Sequence, residues 1–107
     1  MPQYFVRLEH TSDQCPSANS KIRERMLKGT PEIPQLAEKL GVKFVVGPLV
    51  LAAEHASVVL VETERIETVQ EFVTRAGLSQ WNSVRVSTVQ SMEESLKDLE
   101  KMPPPIY

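Results

Sequence analysis

The chain has 107 residues, 41% hydrophobic and 24% charged, with a formal net charge of −2; this composition fits one soluble globular domain with a single core. Acids and bases are interspersed, so no basic stripe points to nucleic acid and no acidic run to a solvating tail. A single cysteine excludes an internal disulfide framework and suits a reducing, cytoplasmic setting, while the apolar stretches are too short for a membrane span.

The N-terminus, Met1-Pro2-Gln3-Tyr4-Phe5-Val6, enters a strand pattern at once, without the basic and apolar regions of a signal peptide. Residues 3–10 alternate, with Tyr4, Val6, Leu8 and His10 on one face and Phe5, Arg7 and Glu9 on the other. A polar loop over 11–19 follows. Asn19 or Ser20 caps a helix bearing Ile22, Met26 and Leu27, and Gly29 is its expected stop. Thr30-Pro31 is expected to start a second helix, with Thr30 as N-cap; Ile33, Leu36, Ala37 and Leu40 form its apolar stripe and Gly41 ends it.

Residues 42–51 are rich in strand formers but interrupted by Gly47-Pro48, which predicts a bulge or an edge strand. The link Ala52-Ala53-Glu54 leads into a third strand, His55 to Thr63, and the pair reads as a hairpin. Arg65 to Ala76 is an amphipathic helix built on Ile66, Val69, Phe72 and Val73, with Gly77 as its stop. A fourth strand spans 82–89. Ser91-Met92-Glu93-Glu94 is a capping box that opens a last helix carrying Leu96 and Leu99. We take 1–102 as one domain and 103–107 as a proline-rich tail. Pro104-Pro105-Ile106-Tyr107 matches a Pro-Pro-x-Tyr ligand of WW domains, or serves as a polyproline arm.

The order β-α-β-β-α-β plus a terminal helix is the split, ferredoxin-like α+β arrangement: a four-stranded antiparallel sheet with helices on one face. Over nearly its whole length the chain resembles the dimeric α/β-barrel superfamily of small bacterial proteins. The resemblance rests on element order and length. It implies a homodimer that pairs two sheets face to face, and a function among monooxygenases, isomerases, stress-responsive proteins and metal-binding domains. The same dimer is expected from the sheet itself, because helices covering one face leave the other exposed.

In this topology strand three lies beside strand one and antiparallel to it. His10 ends strand one, His55 begins strand three, and Cys15 lies in the loop that follows His10. Two imidazoles and a thiol suit Zn, Cu or Ni. Glu9, Asp13 or Glu54 can supply a fourth ligand or orient a histidine. Strand parity decides whether the two rings meet. If Ala56, Val58 and Leu60 face the helices, His55 lies with Glu9; if Val59 and Val61 do, it lies with His10. We take the first arrangement, since it turns Ser57 out of the core, and a bulge or turn at the strand end would still let the rings approach. The plainer roles are a loop hydrogen bond for His10 and a small buried apolar group for Cys15. Cys15 can also be a reactive thiol, with His10 as its base.

A second constellation occupies the opposite sheet face. Arg7 and Arg85 can clamp an anionic small-molecule ligand there, and Glu9 with His55 can form a proton-transfer pair in a cavity between sheets. A structural Arg–Glu ladder in a dimer without ligand is the plainer alternative. Trp81, the only tryptophan, serves as a pocket wall, an interface anchor or a core plug.

Overall fold

Alternation of apolar and polar residues makes Gln3–Glu9 the first strand, β1, and its register organises the rest of the molecule. The computed structural model describes residues 1–106; Tyr107, the last residue of the Pro-Pro-x-Tyr match, lies outside them. After β1, a 3-10 turn at Ser12–Gln14 leads to α1 (Ser20–Gly29) and α2 (Ile33–Leu40). Strands β2 (Lys43–Leu51) and β3 (Ala56–Glu62) follow, then α3 (Ile66–Arg75), β4 (Ser83–Thr88) and α4 (Met92–Lys101). The four strands form one open antiparallel sheet in the order β2-β3-β1-β4. This α+β arrangement is compatible with a ferredoxin-like fold.

Tyr4, Val6 and Leu8 of β1 are buried together with Val59 and Val61 of β3, and α2 and α3 lay Ala37, Val69, Phe72 and Val73 over them. Val6 pairs with Val59, Tyr4 with Val61 and Leu8 with Ser57. The inward face of β3 is therefore that of Val59 and Val61, which corrects the parity expected above. β3 is apolar on both faces, so its own pattern fixes nothing; the register against β1 decides. Ser57 consequently lies on the inner face, and Ala56 is buried on the outer one beside Glu9.

The outer face of the sheet carries cross-strand rows read directly from the register. One row runs Val46, Leu60, Phe5 and Ser87; the next runs Leu49, Val58, Arg7 and Arg85. Phe5, Val46 and Leu49 are exposed. The edge position and bulge expected for the Gly47-Pro48 segment are both present: β2 is the outermost strand, and its pairing shifts register between Phe44 and Val46 and again between Val46 and Leu49.

Thr30 is not an N-cap. Its backbone is helical (φ −55°, ψ −41°), and α1 runs through a 3-10 turn at Thr30–Glu32 into α2. α1 ends at Gly29 as expected, although Gly29 keeps a right-handed helical conformation and the chain passes straight into the 3-10 turn. Gly41 and Gly77 do adopt the left-handed conformation expected of helix-ending glycines. Ser91 caps α4 as expected, accepting from the Glu94 amide at 3.1 Å, but no residue of α4 is buried.

Candidate metal centre

β1 and β3 extend their ladder by one pair beyond the regular strands. The His10 amide donates to the His55 carbonyl at 3.0 Å, so the two residues face each other across the end of the sheet. Their rings lie 5.7 Å apart, edge to face. His55 achieves this through a left-handed backbone, φ +50° and ψ +48°, at the end of the 3-10 turn Ala52–Glu54. Only a few per cent of non-glycine residues adopt positive φ, histidine among the more frequent.

The loop after His10 is pinned so that Cys15 returns to this pair. The Cys15 amide donates to Ser12 O, and its carbonyl accepts from Ala18 and Asn19. The Asn19 side chain caps α1 through the amides of Lys21 and Ile22 and also donates to Asp13 O. Arg23, one turn into α1, donates to Pro16 O at 2.8 Å and to Ser17 O at 2.9 Å. As a result one nitrogen of each histidine and the Cys15 sulfur lie within 4.8 Å of one another.

The imidazole atoms His10 Nε2 and His55 Nδ1 are both buried, and neither has a partner at hydrogen-bond distance among the described residues. Asn82, at the start of β4, lies 3.3 Å from His10 Nδ1 through its Oδ1. Its Nδ2 donates to Leu78 O at 3.0 Å, which turns Oδ1 toward the ring. With Oδ1 as the acceptor, this contact selects the His10 tautomer that donates from Nδ1 and keeps the Nε2 lone pair, the form a metal ligand needs. The Trp81 ring stands 5.2 Å from the His10 ring, tilted by 48°. Cys15 Sγ lies 3.0 Å from Ser17 Oγ. The Ser17 hydroxyl and amide, followed by the two histidines, lower the Cys15 thiol from 9.0 to about 6. Thiolate is the form that binds metals and attacks electrophiles.

The carboxylates expected to join this group do not. Arg7 holds Glu9 in a close ion pair and Glu54 at 3.2 Å, on the outer side of the sheet. Arg7 keeps the Glu9 carboxyl below its usual range, with a smaller contribution from Arg85. Asp13 is exposed in the loop and lies outside the cluster. The second constellation is likewise divided. Arg7 and Arg85 are directly opposite each other and Glu9 is beside them, but His55 stands with His10 and is separated from Glu9 by strand parity.

Asn82 and Ser17 are the residues that the sequence reading did not single out. Asn82 had a signal: once β1 and β4 pair as neighbours, Glu9 faces Ser83, and one step further brings His10 to Asn82. Ser17 had none beyond its place two residues after the only cysteine.

The donor set, two imidazoles and a thiolate, is the borderline-soft combination that suits Zn, Cu or Ni. The chain matches no family model and no curated protein.

Proposed function

We propose that this is a metal-binding protein whose ligands are His10 Nε2, Cys15 Sγ and His55 Nδ1. The observation that carries the reading is a pair of buried imidazole nitrogens without partners among the described residues, in a cluster whose ligand atoms, the thiol included, lie within 4.8 Å of one another. Leaving a buried polar atom unpaired costs roughly 1–3 kcal/mol, and a metal ion would satisfy both nitrogens at once. Asn82 supplies the outer hydrogen bond that a ligating histidine ordinarily makes.

Elemental analysis of the full chain purified without chelator, followed by Zn(II), Cu(II) and Ni(II) titration, tests this. One ion per chain is expected. His10→Ala and Cys15→Ser should each weaken binding at least about tenfold, in line with removal of a ligand or its orienting partner. Unchanged stoichiometry and affinity in both variants would overturn the reading.

We further propose a two-fold dimer that covers the outer sheet face. Its support is the apolar row Val46–Leu60–Phe5, of which Val46 is 51% and Phe5 40% exposed. Apolar patches of this kind mark interfaces. Arg85, exposed beside this row and without an ion pair among the described residues, would then face the partner sheet. Among the described residues no helix is long and apolar enough to cross a membrane.

A further inference from the structure

We propose that the metal held by His10, Cys15 and His55 keeps an open coordination position that takes a small monoanionic donor from solution. The inference rests on the metal-binding reading above and goes beyond it: it makes the site reactive rather than purely structural. Closed structural sites of this class use four protein donors, whereas sites that work on a ligand use three and leave a position for water or substrate.

Three features of the cluster lead here. First, the group contains three donors, and the nearby carboxylates are engaged elsewhere. Glu9 and Glu54 are bound to Arg7 on the far side of the sheet, and Asp13 is turned into solvent. Second, the cluster is asymmetric in its access to water. The two imidazole nitrogens are buried, with Asn82 and Trp81 packed around His10. Cys15 is only partly covered and Ser17 beside it is exposed. An open position would therefore be reached from solvent on the Cys15–Ser17 side of the loop. Third, the charge selects the ligand. Two neutral imidazoles and one thiolate leave a divalent ion with one net positive charge, in a site partly shielded from water. A single negative charge on the fourth ligand neutralises it, as hydroxide, azide or a small thiolate would.

The test uses the full chain loaded with Co(II), whose visible bands report coordination number and ligand type. Azide and, separately, 2-mercaptoethanol are titrated into the loaded protein, and X-ray absorption fine structure counts the donors before and after. The expected result is one sulfur and two imidazoles from the protein, a light-atom fourth donor, and a saturable band shift at one azide per cobalt. The thiol arm should add a second sulfur and a stronger charge-transfer band. Bands that ignore both probes, a fourth donor from the protein or its partner subunit, or loss of cobalt to azide would overturn the open position while leaving the metal reading intact. Failure to bind any of Zn(II), Cu(II), Ni(II) or Co(II) would remove both.

Discussion

Cys15 is acidic because the folded loop brings hydrogen-bond donors to its sulfur, with Ser17 first among them. Folding thus favours the thiolate over the thiol. The sign follows by linkage: the contribution to stability is fully present above the unfolded value of 9.0 and is lost as pH falls through about 6. Alkylation of the metal-free protein by iodoacetamide should therefore rise with a midpoint near about 6. Ser17→Ala removes the largest contribution, so its midpoint should move upward. A wild-type midpoint at the value of an ordinary free thiol would contradict this account. His55 offers a second test at a single position. Its left-handed backbone costs roughly 1–2 kcal/mol for a residue with a Cβ. Glycine escapes that cost but has more freedom to lose on folding, worth about 0.4–1 kcal/mol. His55→Gly should accordingly melt within about 1 kcal/mol of wild type when metal-free. Added Zn(II) should raise the wild-type melting temperature and leave that of the variant unmoved. If the variant were strongly destabilised without metal, the ring would be a packing element rather than a ligand.

At the scale of elements, Gly47 has the most demanding position. It sits at φ +89°, and a Cβ there would lie 2.9 Å from Val58 O and 3.0 Å from Leu49 N. Both are backbone atoms of the sheet and neither can swing aside. Gly47→Ala should destabilise the fold by about 2 kcal/mol or more, from left-handed strain and the clash together, as read by urea unfolding; a loss below about 0.5 kcal/mol would mean the β2 edge adapts freely. The same strand shows how far the sequence carries. Gly47-Pro48 announced an irregular edge, and the alternation of Tyr4, Val6 and Leu8 identified the inner face of β1, because each is a local consequence of side-chain chemistry. The face of β3 was not legible, since Val58, Val59, Leu60 and Val61 are apolar on both sides and only pairing with β1 selects one. That one-residue choice placed His55 with Glu9 in the sequence reading and with His10 in the structure. The Thr30 cap failed for a related reason: Gly29 ends α1 without leaving the right-handed helical region, so the chain enters the 3-10 turn with Thr30 already helical rather than extended as an N-cap requires. Convergence of His10, Cys15 and His55 could be anticipated from topology, whereas the orienting amide of Asn82 depends on register across a third strand.

The whole molecule is more elongated than its length demands. Its radius of gyration is 16.7 Å and its longest extent 55 Å, against about 13 Å for a compact domain of this size. The excess accompanies α4, which has no buried residue. Met92, Leu96 and Leu99 recur at helical spacing along it and are each more than half exposed. A ten-residue helix is marginal in water by itself, so capping by Ser91 does not suffice to hold it. An apolar stripe on an arm and an apolar row on an outer sheet face are two unsatisfied surfaces on one chain, and a two-fold dimer can cover both symmetrically. Light scattering at micromolar concentration should give twice the chain mass of 12.1 kDa. The double substitution Leu96→Lys and Leu99→Lys removes the stripe without touching the core, and should shift the protein to monomer with a dissociation constant raised at least tenfold. Metal binding should persist in that monomer, because His10, Cys15 and His55 all belong to one chain. A wild-type monomer, or a dimer indifferent to both lysines, would show that the arm is not part of the interface.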